Sequence, residues 1–155
     1  MMMKSEHLEI DKTDQRILLE LRQNCRRSYR ELAASTGMSP AALIERMKKL
    51  EKEGIITGYS ANFDYLALGF EFMGIVQISI SGDLLKAQEK ISKLQGVAAV
   101  YDITGQYDAI AILMCKNRNE LSALVKKILV IPGVEKTNTN IVLNVVKKLQ
   151  EFEQI

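Results

Sequence analysis

Hydrophobic positions recur every three or four residues along the first third of the chain and every second residue along much of the rest. In "DKTDQRILLELRQN" Ile17, Leu18 and Leu21 fall at helical spacing, and Leu19 thickens the stripe. Asp11, Thr13 and Asp14 supply cap and first-turn residues, so the pattern predicts a helix over about 12–23. "CRRSYRELAASTG" starts again. Ser28 is its cap, Leu32 and Ala33 face inward, and Gly37 stops it. Ser39 caps a third helix with Pro40 at its first position, where a missing N–H costs nothing. Leu43, Ile44, Met47 and Leu50 share one side of this helix. Ala41, Ala42, Glu45, Lys48, Lys49 and Lys52 take the other, with Arg46 at the flank. Gly54 ends the helix, and the β-branched "IITGYSANF" predicts a short wing or strand.

Past about Leu68 the rhythm changes. "FMGIVQISI" alternates, with Phe72, Val76, Ile78 and Ile80 on one face and Gly74 interrupting it. "DLLKAQEKISKL" is helical, with Leu84, Ala87, Ile91 and Leu94 on one stripe. "VAAVYDIT", "YDAIAILMC" and "TNTNIVLNVV" predict strands, and "NELSALVKKIL" predicts a helix burying Leu121, Leu124, Val125 and Ile128. The order is β-α-β-β-α-β. A faint repeat supports it, since each helix closes into a Gly-Val pair, Gly96-Val97 and Gly133-Val134, followed by a strand. Two such halves make a ferredoxin-like split βαβ sheet. Gly105-Gln106 fits a two-residue hairpin between its middle strands. With both helices on one side, the second face stays uncovered, yet Met73 and Ile75 make it apolar. A second copy of the chain is the expected cover.

The fold class is therefore α+β. Residues 1–60 are expected to form a winged helix-turn-helix, 61–70 a linker, and 71–155 a ferredoxin-like domain that self-associates. Composition agrees: 155 residues, 47% hydrophobic and 26% charged, suit one medium domain or two small ones. No apolar run approaches the roughly 18 residues of a membrane span. The opening "MMMKSEHLEIDK" lacks the apolar middle of a signal peptide, so a cytoplasmic protein with no membrane partner is expected. Cys25 and Cys115 have neither metal-ligand spacing nor a disulfide framework, and both are expected to be reduced. Arg26 beside Cys25 makes a redox thiol conceivable, but an inert, partly buried thiol is the preferred reading.

Charge sharpens the picture. Between Arg22 and Lys52 eight basic residues face three acidic ones, a net of +5 in a chain whose total is +2. Positive charge is thus concentrated on the helix-turn-helix, as a footprint for phosphate would be. The third helix would enter a major groove with its N-terminal half against base edges. Small Ala41 and Ala42 permit close approach, and Arg46 would reach a guanine edge or a phosphate. Lys48, Lys49 and Lys52 would hold phosphates, Ser39 and the helix N-terminus would offer N–H groups, and Tyr29 and Arg30 would brace the near backbone.

These segments together, from "IDKTDQRILLELRQ" through "TGMSPAALIERMKKLEKEGIITGYSANFD" to "TGQYD" and "PGVEKTNTNIVL", resemble the Lrp/AsnC (leucine-responsive/asparagine-responsive, feast/famine) regulators. The resemblance runs from about Ile10 to Lys148. It implies a transcriptional regulator of amino-acid metabolism that binds double-stranded, pseudo-palindromic operators, with a hinge strand over 61–70 and effector binding by residues 71–155. It also implies a homodimer built through the sheet, with assembly to an octamer, and a small-molecule effector, most often an amino acid. The effector loop of the family falls on Gly105, Gln106, Tyr107 and Asp108, with Thr137 and Thr139 completing the site. A turn there would present N–H groups to a carboxylate, and Asp108 would pair with an ammonium. The plainer reading is that Gly105 makes a hairpin and Tyr107 packs. Two positions depart from the family pattern. Glu45-Arg46 replaces a pair of basic residues, which lowers phosphate affinity but lets Glu45 accept from a cytosine amino group. Thr13 replaces a larger apolar residue and should loosen the first helix slightly.

Two other classes compete. A DNA-independent sensor or adaptor would keep the fold without salt-sensitive DNA binding. A siroheme-decarboxylase-like enzyme subunit would share the architecture. Against the enzyme, the sole histidine is His7, expected in a tail, and Arg118 is the only arginine after Arg46. No nucleophile–base set, metal-ligand cluster or phosphate-cradling loop stands out, so no catalytic or metal residue and no cofactor beyond the amino acid is assigned.

Overall fold

The computed structural model describes residues 10–147; His7 and Lys148 lie outside them. The described chain divides into two compact units, one ending at Asn62 and the other starting at Phe63.

The first unit holds α1 (Lys12–Gln23), α2 (Tyr29–Thr36) and α3 (Pro40–Lys52). Each begins on a side-chain cap that satisfies N–H groups the helix itself cannot. Asp11 Oδ1 accepts from the N–H groups of Thr13 and Asp14, both at 2.8 Å, and Asp14 returns a carboxylate oxygen to the Asp11 N–H. Ser28 and Glu31 make the same reciprocal box on α2. Ser39 Oγ accepts from the Ala42 N–H at 3.2 Å, with Pro40 next to it in the first turn. Gly37, at φ 72°, supplies the left-handed turn between α2 and α3. Ile17, Leu32, Ala33, Leu43, Met47 and Leu50 form one core, while Ile44, expected to share their side, is only half-buried.

The segment predicted as a wing forms no strand. The chain from Gly54 to Asn62 turns and then runs without strand pairing, and no hinge strand forms over 61–70, where a turn spans 65–69. A strand needs a neighbour to take its N–H and C=O groups, and no described segment of this chain lies alongside. Ile55 and Ile56 pack against the helical core, and the Tyr59 hydroxyl donates to Glu51 Oε1 at 2.7 Å.

The second unit is β1 (Phe72–Ile80), α4 (Leu84–Ser92), β2 (Val97–Asp102), β3 (Ala109–Cys115), α5 (Arg118–Leu129) and β4 (Val134–Ile141). The strands pair antiparallel in the order β2-β3-β1-β4. Gly74, Val76 and Ile78 of β1 and Ala109, Ala111, Leu113 and Cys115 of β3 point to one face and are buried there. Ala87 and Ile91 of α4 and Leu121, Leu124 and Ile128 of α5 cover them. Gly74 lets α5 come close: a Cβ there would lie 2.9 Å from Leu121 Cδ1.

The repeat seen in the sequence is also a backbone repeat. After α4, Leu94 N–H donates to Ile91 O and Val97 N–H to Leu94 O, around Gly96 at φ 95°. After α5, Ile131 N–H donates to Ile128 O and Val134 N–H to Ile131 O, around Gly133 at φ 96°. Both helix-to-strand joints thus use one geometry that a side chain would strain.

Two sequence expectations change. The β2–β3 connection is longer than a two-residue hairpin: Ile103 N–H donates to Asp108 O, leaving four residues from Thr104 to Tyr107 as the turn. Ile103 and Asp108 pair just beyond the ends of β2 and β3, and the Asp108 N–H also donates to Ile78 O of β1. The last strand starts earlier and stops sooner than "TNTNIVLNVV": it pairs with β1 from Val134 to Ile141, and a last bond runs from the Val142 N–H to Met73 O. Leu143 is left 97% exposed.

Candidate functional site

On α3 the exposed side carries Ala41, Ala42, Glu45, Lys48, Lys49 and Lys52, opposite the buried Leu43, Met47 and Leu50. Among the described residues none of Glu45, Lys48, Lys49 and Lys52 has a salt bridge or side-chain hydrogen bond, so their charges face solvent. Ser39 and Pro40 stand exposed at the helix N-terminus, where the dipole and the Ala41 N–H favour an anion, the Ala42 N–H being taken by Ser39 Oγ. Tyr29 and Arg30 are exposed in the first turn of α2. The helices, caps and turn thus leave one polar, mostly basic surface centred on α3.

Arg46 behaves differently. Its Nη1 donates to Asp11 Oδ2 at 2.7 Å and to Asp14 Oδ1 at 2.8 Å. The guanidinium that sequence analysis gives to a guanine or a phosphate is here bound to the start of α1. Asp11 is held below the usual carboxylate range, first by the Asp14 backbone N–H and then by Arg46. The same contacts hold Arg46 above its ordinary value, with Asp14 the larger influence. Asp14 is the residue that sequence reasoning missed. It is 3% exposed, yet its place in the first turn suggests only a partner for the helix dipole. Its spacing from Ile17, Leu18 and Leu21 puts it on the inward stripe, and an inward carboxylate demands a cation. Nearby, burial and the Glu51 carboxylate raise the Tyr59 phenol.

In the second unit the β2–β3 turn presents Gly105, at φ 118°, and Gln106 exposed, with Tyr107 and Asp108 half-buried. Among the described residues the N–H groups of Gly105, Gln106 and Tyr107 make no hydrogen bond. Asp108 is partly occupied. Its N–H donates to Ile78 O at 3.0 Å and its Oδ2 accepts from the Ile80 N–H at 2.7 Å, which ties the turn to β1. Oδ1 is left for another partner. Thr137 lies opposite Ile78 on β4, so it flanks β1 on the side away from Asp108, about 10 Å across two strand spacings. Thr139 sits opposite Val76, two residues further along. The loop residues are therefore together, and the two threonines stand apart from them within one chain.

A separate open cleft of about 430 Å³ is lined by Ser81, Asp83, Lys86, Lys90, Pro132 and Gly133. It contains none of the predicted effector residues, and its carboxylate, Asp83, already caps α4 by accepting from the Lys86 N–H. Among the described residues no group of three or more His, Cys, Asp or Glu side chains is placed to hold a metal. No described helix is long and apolar enough to cross a membrane.

Comparison with known proteins bears on both surfaces. Residues 10–57 match the winged helix-turn-helix DNA-binding model, and residues 74–152 match the Lrp/AsnC ligand-binding domain. An HTH-type transcriptional regulator of Pyrococcus horikoshii is 38% identical over 91% of this chain and 96% of its own length. The HTH-type transcriptional regulator FL11 of Pyrococcus abyssi is 32% identical over 94% of this chain and 97% of its own. Among solved structures, AsnC of Escherichia coli superposes with a TM-score of 0.84 at 31% identity, covering 92% of this chain and 99% of AsnC. A transcriptional regulator of Neisseria meningitidis, solved with L-methionine, superposes with a TM-score of 0.84 at 26% identity, covering 90% of this chain and 94% of its own. With the helix-turn-helix, the four-stranded sheet and these matches in place, the chain belongs to the Lrp/AsnC family of transcriptional regulators, pairing a DNA-binding domain with a ligand-binding one.

Proposed function

We propose that the protein binds operator DNA sequence-specifically through α3 and that an amino acid at the β2–β3 turn modulates this binding. The observation that carries the reading is the exposed, unpaired set on α3, in which small residues lead and cations follow. Ala41 and Ala42 let the helix backbone approach base edges, and Glu45 accepts from a cytosine amino group. Lys48, Lys49 and Lys52, the Ser39–Pro40 end of the helix, and Tyr29 and Arg30 hold phosphates on either side.

The amino acid fits the turn by chemistry. Free N–H groups of Gly105, Gln106 and Tyr107 receive its carboxylate, and Asp108 Oδ1 receives its ammonium. Thr137 and Thr139 take part only if a second chain or a longer ligand spans the gap to β4. The L-methionine complex of the Neisseria regulator supports an amino acid as the ligand class. Met73, Ile75, Ile110, Ile112 and Met114 lie on the sheet face that neither helix covers and are only half-buried. That face serves a homodimer, which matches two half-sites on a palindromic operator, and dimers assemble further into an octamer. The protein is cytoplasmic and has no catalytic role.

Fluorescence anisotropy tests the reading, with the gene's own upstream duplex against a scrambled duplex at two salt concentrations, with and without L-methionine or L-leucine. Tighter binding to the upstream duplex, weakened by salt on both and shifted by an amino acid, is expected. An absence of binding even at low salt would leave the DNA-independent sensor as the better account.

A further inference from the structure

Building on the DNA-binding reading, we propose that Arg46 is a positioning residue: with Asp11 and Asp14 it clamps the recognition helix α3 to the cap of α1 rather than contacting DNA.

The geometry argues this from both ends. At about 100° per residue, Arg46 lies roughly 65° from the centre of the buried stripe of α3, while Glu45, Lys48 and Lys52 lie on the far side. Its guanidinium is therefore carried along the flank of α3 to the start of α1. One nitrogen, Nη1, bridges two carboxylates there at 2.7 and 2.8 Å. Those carboxylates are the two halves of the α1 capping box, so each already has a fixed rotamer. Asp11 holds the N–H groups of Thr13 and Asp14, and Asp14 holds the N–H of Asp11.

A cation beside the positive end of a helix is unfavourable by itself. Two anions that face it there, one of them with its side chain 5% exposed, reverse the sign. The Asp14 side chain has no solvent to turn to, so losing Arg46 would leave a buried carboxylate with only a backbone donor. The result is a fixed angle between α1 and α3, set before DNA arrives. Preorganisation of this kind saves the ordering cost of binding.

The clamp and the contact roles predict opposite signs for one substitution. Asp14→Asn removes a negative charge near the DNA-binding surface. If Arg46 contacts DNA, freeing it from Asp14 should tighten binding. If Arg46 is a clamp, Asp14→Asn should loosen α3 and weaken binding. Anisotropy on the upstream duplex, with full-length protein well below its melting midpoint, reads the difference. We expect about tenfold weaker binding for Asp14→Asn and for Arg46→Met, with the salt slope of each equal to that of the parent. We also expect the pair Asp14→Leu/Arg46→Met, which exchanges ions for apolar packing, to regain most of the affinity that Asp14→Leu alone removes.

Unchanged or tighter binding by Asp14→Asn overturns the clamp. So does a salt slope lowered by about 0.9 for each bound subunit in Arg46→Met, or a double variant no better than Asp14→Leu. Failure of the underlying reading looks different, since the parent itself then shows no salt-sensitive binding.

Discussion

Replacing Gly74 by alanine should destabilise the sheet domain by a calculable amount. The new Cβ would stand 2.9 Å from Leu121 Cδ1 and 3.7 Å from Leu113 Cβ. Carbon atoms prefer separations of about 3.5–4.0 Å, so the first approach is short by about 0.6 Å or more. Leu121 and Leu113 are both buried, at 4% and 0% exposed, so the Leu121 side chain must turn to another rotamer within the core or α5 must lift from β1. Overpacking of this kind costs about 1–3 kcal/mol. A less flexible unfolded chain returns about 0.4–1 kcal/mol. Central values leave a net loss of about 1.3 kcal/mol, which lowers the melting midpoint of a domain this size by about 5–10 °C in calorimetry. Leu121→Ala alone should cost about 2–5 kcal/mol through its cavity. In the double variant the new methyl occupies part of that cavity, so the combined loss should fall short of the sum by about 1 kcal/mol or more. A Gly74→Ala protein that melts like the parent, together with strictly additive losses, would show that β1 and α5 do not pack in this way.

Other consequences can be checked alongside. Ser39→Ala removes the cap that holds the Ala42 N–H and should cost the helical domain about 1 kcal/mol by thermal circular dichroism, while Ser39→Asp should stay near the parent. Lys48→Ala/Lys49→Ala should flatten the dependence of log affinity on log salt by about 0.9 for each phosphate no longer neutralised, summed over every bound subunit. Asp11 and Glu31 have folded values below their ordinary ones, so their contribution is full above the ordinary carboxylate range and is lost as pH falls through the lowered values. Asp11→Asn/Glu31→Gln should therefore show a shallower loss of stability than the parent between about pH 5 and pH 2 in urea titrations. Burial raises the Cys115 thiol, with Glu120 adding to it, so a thiol-reactive dye at neutral pH should label Cys25 and leave Cys115 unmodified until unfolding.

Periodicity and caps made most of the architecture legible. Helices bounded by Asp11, Ser28 and Ser39 appear where local rules place them, because a cap and an apolar stripe are both encoded within a few residues. Alternation in β1 likewise told which residues are buried. Features that depend on partners distant in sequence were not legible. The wing and hinge segment has a strand-like composition, but pairing is a property of two segments, and among the described residues the second is missing. Asp108 reads as a ligand group in "TGQYD", and only the fold reveals that the Ile80 N–H already uses one of its oxygens. The variant that probes the effector is therefore Asp108→Asn, which keeps an acceptor for Ile80, rather than Asp108→Ala. Arg46 belongs to the same class. Its position on the helical wheel was plain, and its bond to Asp14 crosses 32 residues of sequence.

The position of β1 bears on how the chain folds during synthesis. The α1–α3 core closes within residues 17–50, so that domain can form as soon as it emerges. β1, made soon afterwards, sits inside the sheet between β3 and β4, and one of its edges pairs only with the final strand. At about 5–20 residues per second, that edge stays open for several seconds after it leaves the ribosome. Through this interval an apolar strand with free N–H and C=O groups is exposed beside an already folded neighbour. Slowing translation after Ile80 should therefore lower the yield of soluble protein, and speeding the delivery of β4 should restore it.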